Sequence, residues 1–277
     1  MRDALDGKVV LITGASRGIG AGIARRFAAE GAAVALVARS VEPGSGGHLA
    51  GSLRELAAEI EADGGRVHCI GADLADPAVD RSGIVREVES VFGPVDVLVN
   101  NAAACYYLPF ERVSDKRLHV AFEVNVFAPF QLAQACVPSM VERGRGHIVN
   151  LTSGIVDVPD SMPFEELAAN FKLATTYAVS KAALNRLTTA LAAEYAPTIA
   201  VNAVAPQAAV ATEGATAMMD LPAYMLEPME TMVEATLVLA TCDVAYSGHV
   251  VRSLPLLRES GRTVRSLDGR SVFERGE

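Results

Sequence analysis

Seven short runs of β-branched and aliphatic residues punctuate the chain: VVLIT at 9–13, AVALVA at 33–38, RVHCIGAD at 66–73, VDVLVN at 95–100, HIVNLT at 147–152, IAVNAVA at 199–205 and HVVRSL at 249–254. Most are unbroken apolar runs rather than strict alternations. That is the pattern of strands buried on both faces, as in a parallel sheet covered by helices on either side. Between them lie segments with helical spacing of apolar positions, among them GIARRFAAEG, SLRELAAEIEADG, PFQLAQACVPSMVERG and YAVSKAALNRLTTALAAEYA. Several close on a glycine suited to the left-handed conformation that ends a helix. Strand and helix alternate along the chain, which predicts an α/β fold with a doubly wound, seven-stranded parallel sheet in one domain over 1–277.

Two stretches break the alternation: the glycine-rich VEPGSGGHLAG at 41–51 and GIVDVPDSMPFEELAANFKLATT at 154–176. Loops this long in a compact domain are commonly functional. A polar tail over 255–277 follows the last strand-like run.

The 277 residues, 51% of them hydrophobic, suffice for one sizeable core. The formal charge of -9, with no long Lys/Arg run, argues against nucleic acid or an anionic membrane surface as partner. The opening MRDALDGKVVLITGAS enters a strand-like run without a signal-peptide pattern, and no uninterrupted apolar stretch approaches the roughly 18 residues of a membrane span. A cytoplasmic protein is expected, with no peroxisomal tripeptide at Arg275-Gly276-Glu277. Cys69, Cys105, Cys136 and Cys242 form no C-x-x-C pair and read as packed free thiols, with no metal site among them.

Chemistry enters at Thr13–Gly20, TGASRGIG, set between the first strand and a helix. Glycines at 14, 18 and 20 suit a tight turn with close backbone approach, and a helix N-terminus offers N–H groups and positive dipole to a pyrophosphate. Farther on, YAVSK puts Tyr177 and Lys181 four residues apart on one helix face. An ammonium near a phenol favours the phenolate, which predicts a lowered pKa for Tyr177 and an acid/base pair.

These motifs together resemble those of the short-chain dehydrogenase/reductase family, over roughly residues 7–212. The resemblance implies a Rossmann-type fold and hydride transfer between a nicotinamide cofactor and a carbonyl or alcohol. Tyr177 would be the proton donor or acceptor, Lys181 would lower its pKa and hold the nicotinamide ribose, and Ser153 at the end of the fifth strand would hydrogen-bond the substrate oxygen. Asn125, in EVNVF, matches the fourth catalytic member, which anchors a water chain to the lysine.

For the cofactor the resemblance implies contacts from Gly14, Ser16, Arg17, Gly18, Ile19 and Gly20. It adds Asp73 and Leu74 at the adenine, Asn101 and Ala102 in the run Asn100-Asn101-Ala102-Ala103, Tyr177 and Lys181 at the ribose, and Pro206, Val210 and Thr212 at the nicotinamide. The second strand ends in Ala38-Arg39-Ser40, without the carboxylate that NAD-preferring relatives place there. Arg39, with Ser16 and Arg17, would supply charge-assisted donors to a 2′-phosphate, so NADP(H) is expected over NAD(H).

The chain also departs from the family pattern. Ser153 and Tyr177 stand farther apart than usual, and the enlarged segment carries Pro159, Met162, Pro163, Phe164 and Phe171. It either shapes an apolar substrate pocket or packs against its own domain or a partner subunit. The usual Pro-Gly after the sixth strand is Pro206-Gln207, with Thr212 one residue late, and the usual Asp-Gly-Gly after the last strand is missing. Such features look most like the branch holding hydroxysteroid-dehydrogenase-like and citronellol-type dehydrogenases. A catalytically silent dinucleotide sensor on the same fold is the rival reading. A sugar-nucleotide epimerase or dehydratase is a third, disfavoured by the glycine spacing. Small apolar residues on the helices around 113–143 and 175–195 predict a homodimer or homotetramer.

Overall fold

A computed structural model describes residues 4–46, 50–157, 172–213 and 226–274. Strand β1 (Val9–Thr13) leads into helix α1 (Gly18–Ala28), β2 (Ala33–Ala38), α2 (Leu53–Ala62), β3 (Arg66–Gly71), α3 (Arg81–Phe92) and β4 (Val97–Asn100). A helical run follows, α4 (Asp115–Phe122), a π-helical turn (Glu123–Phe127) and α5 (Ala128–Glu142), then β5 (Gly146–Leu151), α6 (Thr175–Tyr195) and β6 (Ile199–Ala205). The chain continues through β7 (Ala209–Val210), β8 (Leu226–Glu227), α7 (Met229–Ala240), β9 (Val250–Arg252) and α8 (Ser253–Ser260).

Seven strands form one parallel sheet in the order β3-β2-β1-β4-β5-β6-β9. The apolar runs are continuous because each central strand feeds two cores. In β1, Val10 and Ile12 join the layer formed by α1, α2, α7 and α8, while Val9 and Leu11 join the layer of α3, α5 and α6. Strand order reverses between β1 and β4, the crevice at which such sheets bind ligands beyond their carboxyl ends.

Local chemistry sets the helix starts. Ser52 caps α2 by accepting from the Glu55 N–H at 3.2 Å, and the Asp80 carboxylate caps α3 through the Gly83 N–H at 2.8 Å. The expected seventh strand is shorter than its apolar run, because Ser253 already begins α8 with Pro255 in its first turn, where a missing N–H costs nothing. The small β7–β8 pair, Ala209 with Leu226 and Val210 with Glu227, had no signal in the strand pattern.

The helical run Asp115–Glu142 is long and apolar enough by composition to cross a membrane. Its Leu132, Ala133, Cys136 and Met140 pack instead into the core beneath the sheet. The tail turns back in a hairpin closed at Arg265 and Val272, and Arg262 Nε reaches the buried Glu234 at 2.7 Å. Glu234 also takes Arg26 Nε at 3.1 Å, and Arg26 pairs with Glu30 at 2.5 Å. Of the enlarged segment at 154–176, Pro159, Met162, Pro163, Phe164 and Phe171 lie outside the described residues.

Candidate active site

The glycine turn joins β1 to α1 at the carboxyl edge of the sheet. Gly14 and Gly18 take positive φ, +65° and +55°. At Gly20 the constraint is packing: a Cβ there would overlap the Gly14 carbonyl and the Asn101 amide. Two of the three glycines therefore serve the fit of the turn against the end of β4. Thr13 Oγ1 accepts from the N–H groups of Asn101 and Ala102, both at 3.1 Å, and Asn101 Nδ2 donates to the carbonyls of Thr13 at 2.8 Å and Gly14 at 3.1 Å.

Arg17 stands at the N-cap of α1, and its guanidinium, which has donors only, caps none of the helix N–H groups. The first-turn N–H groups at Gly18, Ile19 and Gly20 are thereby left to the cleft, which suits an anion. A dinucleotide's pyrophosphate fits this arrangement. Thr212, from the opposite side, comes within 3.6 Å of the position a Cβ on Gly18 would occupy.

At the adenosine end the three cationic and polar candidates part company. The Arg17 guanidinium donates to Ser40 Oγ at 2.9 Å and to the carbonyls of Gly46 and Gly51 at 3.4 Å, so it fastens the 41–51 loop to the glycine turn. Arg39 is exposed and lies 3.9 Å from Asp73, whose carboxylate accepts from the Ala75 N–H at 3.0 Å. Ser16 is buried and Leu74 belongs to the core.

Ser153, Tyr177 and Lys181 meet beyond β5. Ser153 Oγ caps the following turn through the Ile155 N–H and hydrogen-bonds the Tyr177 hydroxyl. Lys181, only 2% exposed, donates from Nζ to the Leu151 carbonyl at 2.7 Å and lies 5.6 Å from the centre of the Tyr177 ring. Asn125 sits in the π-helical turn, fully buried. Its amide accepts from Ala104 N–H and donates to Ala104 C=O, both at 2.8 Å, and donates to Ser180 Oγ at 2.9 Å. Ser180 Oγ in turn donates to the Tyr177 carbonyl at 2.8 Å. Asn125 therefore clamps the segment after β4 to the helix that carries Tyr177 and Lys181.

The electrostatics differ from the sequence expectation. Burial pushes the Tyr177 phenol above its usual range, the nearby Cys105 and Tyr107 add to this, and the Ser153 hydrogen bond pulls the other way. Burial also pushes Lys181 down to about 8, against the opposing pull of Cys105. The expected lowering of the phenol by the ammonium is outweighed, because desolvation disfavours both charged forms. Tyr177 keeps its proton here.

Sequence reasoning passed over several neighbours. Cys105, taken as an ordinary packed thiol, hydrogen-bonds Tyr107 beside the tyrosine and lysine, and burial raises both groups. Ser180 lay inside YAVSK and could have been found as a hydroxyl between the two motif residues. Ser40, adjoining Arg39, and Arg252 at the end of β9 carried no such signal. Arg252 donates to the Pro206 carbonyl at 2.6 Å and the Gly154 carbonyl at 3.4 Å and pairs with Asp157.

The short chain dehydrogenase family profile matches residues 8–220. Hydroxysteroid dehydrogenase-like protein 2 of Danio rerio is 29% identical over 262 residues, 93% of this chain and 59% of that protein, so the chain spans little more than half of this relative's length. Oxidoreductase UcpA of Salmonella typhimurium is 37% identical over 203 residues, 73% of this chain and 69% of its own. Among solved structures, a blue fluorescent protein from a metagenomic library, in complex with NADPH, aligns with a TM-score of 0.76 at 32% identity, covering 90% of this chain and 97% of that one.

Proposed function

Because this chain belongs to the short-chain dehydrogenase family, we propose that it is an NAD(P)-dependent oxidoreductase acting on the carbonyl or alcohol of a small, mostly apolar molecule. The observation that carries the reading is the meeting of Ser153, Tyr177 and Lys181 at the carboxyl edge of the sheet, on the same edge as an uncapped helix N-terminus.

Bound nicotinamide supplies or accepts the hydride. Ser153 holds the substrate oxygen, and Tyr177, which keeps its proton in this enclosed site, gives it to that oxygen as the carbonyl is reduced. Lys181 would hold the nicotinamide ribose and faces the ring of Tyr177, and Asn125 fixes the helix on which both stand. Gly18, Ile19 and Gly20 would take the pyrophosphate through their N–H groups, with Pro206, Val210 and Thr212 on the nicotinamide side. The protonated phenol is the form that donates in reduction, and its phenolate is the form that accepts in oxidation. Tyr177→Phe is expected to lower turnover of aliphatic, terpenoid or steroid ketones at least about a thousandfold while NADPH binding stays within about twofold. Unchanged turnover would remove Tyr177 from the mechanism, and a panel silent with wild-type enzyme and both cofactors would favour the sensor.

We propose NADP(H) over NAD(H), on the absence of a carboxylate after β2 and the presence of Arg17, Arg39 and Ser40 there. Paired titrations test this, and tighter binding of NADH than NADPH would refute it. The four free thiols suit a reducing, cytoplasmic compartment. A homodimer or homotetramer is proposed on the exposed Phe110, Leu118, Phe127, Phe130 and Val179, which lie on or beside α4, α5 and α6.

A further inference from the structure

Outside the proposed chemistry, the most heavily hydrogen-bonded buried acid among the described residues is Glu227, the last residue of β8, at 2% exposure. Its Oε2 accepts from the N–H groups of Gln207 at 2.7 Å and Ala208 at 3.2 Å. Ser253 Oγ lies at 2.8 and 3.0 Å from its two oxygens, and Thr231 Oγ1 at 3.0 Å from Oε1. Its own carbonyl accepts from the Ala211 N–H at 3.1 Å. These partners are all neutral donors.

Burying a carboxylate without a cation is costly, and the cost is met only where several oriented donors converge on it. Here two of the donors are consecutive N–H groups of one loop. That loop, Pro206–Thr212, is held at its start by Arg252 on the Pro206 carbonyl, and Ser253 Oγ takes a share of the Gln207 N–H at 3.1 Å. Its far end reaches Gly18 across the cleft.

Two of the departures from the family pattern thus meet at one carboxylate. Gln207 stands where a glycine is usual, and Ser253 opens α8 directly after the last strand, in a stretch without the usual Asp-Gly-Gly. Glu227 and Ser253 supply the acceptors that fix the altered loop.

We infer that Glu227 is a positioning residue that holds Gln207–Thr212 against the nicotinamide end of the cleft without touching cofactor or substrate. The inference rests on the reading of Pro206–Thr212 as the nicotinamide-side segment. It predicts a split between the two halves of the cofactor: the nicotinamide loses its wall, while the adenosine site at Arg17, Ser40 and Arg39 is untouched.

The test uses the full chain and two probes, NADPH, followed by the fluorescence of its reduced nicotinamide, and 2′,5′-ADP, followed by calorimetry; NADH and AMP form the parallel arm. Glu227→Ala should weaken NADPH about tenfold and abolish most of the fluorescence enhancement, with 2′,5′-ADP affinity within about twofold. Glu227→Gln keeps an acceptor oxygen for the two N–H groups and should restore most of the enhancement. Wild-type NADPH fluorescence and affinity in Glu227→Ala would overturn the inference. So would an equal loss of both probes in Glu227→Ala and Glu227→Gln, which would mark a general structural role. Thr212→Ala run alongside separates the premises: if it changes NADPH fluorescence and the Glu227 variants do not, only the positioning role fails. If Thr212→Ala is also silent, the nicotinamide-side reading falls with it.

Discussion

Lys181 is a cation in a place that suits a neutral side chain. Its ordinary pKa of 10.5 drops to about 8, chiefly through burial, so the folded protein binds that proton less readily than the unfolded chain. Between about pH 8 and 10.5 the unfolded state holds more protons, and this residue's contribution to stability rises with pH across that window. Below pH 8 the full penalty is present. Lys181→Met should therefore be the more stable protein at pH 7, by about 1–2 kcal/mol once the orphaned Leu151 carbonyl is set against the relieved charge, and the less stable one at pH 10.5 by a similar amount, because the charge penalty is then gone and the orphaned carbonyl remains. Thermal melts at the two pH values check this, and turnover should be lost at both. Tyr177 and Lys181 were legible as a pair from their spacing, but their ionisation was not. Spacing reports which side chains share a helix face, whereas the pKa depends on how much water the assembled site removes. Glu227 was illegible for another reason: in LEPMETMVEA it looks like one more acid at a helix start, and its partners come from segments about 20 residues away on either side.

At the scale of elements, the strands were readable because burial on both faces writes itself into the chain as unbroken apolar runs. The π-helical turn was not, since EVNVF has no composition that distinguishes it from an α-helix. What holds it is tertiary. Arg81, at the start of α3, donates to Glu123 at 2.7 Å, to Gln131 at 2.6 Å and to the Leu74 carbonyl at 3.0 Å, tying both flanks of the turn to the loop after β3. Arg81 is nearly fully buried, and removing it strands Glu123. Arg81→Met is expected to cost about 3 kcal/mol in urea unfolding, because one half of a buried pair is left without its partner. A cost below about 0.5 kcal/mol would mean the turn is held by other contacts.

For the whole molecule, the seven-stranded parallel sheet and the two-layer core follow from the pattern of runs, while assembly depends on what the pattern leaves outside. Phe127 and Phe130 are 47% and 48% exposed on the helical run next to the proposed site, more than a solvated helix face needs. Phe130→Glu should convert the assembly to monomers in sedimentation velocity at micromolar concentration, with the thermal midpoint lowered by a few degrees. If wild-type protein already sediments as a monomer, the exposed rings need another explanation.

The wide turn at Glu123–Phe127 also acts as a phase shifter. Its extra residue turns everything after Phe127 by about 100° relative to an uninterrupted α-helix. That offset lets α4 meet α6 while α5 still sends Leu132, Cys136 and Met140 beneath the sheet. Deleting Val126 would restore a plain helix and leave the chain to choose which half keeps its face, so a one-residue deletion here should do more damage than most single substitutions in the same run.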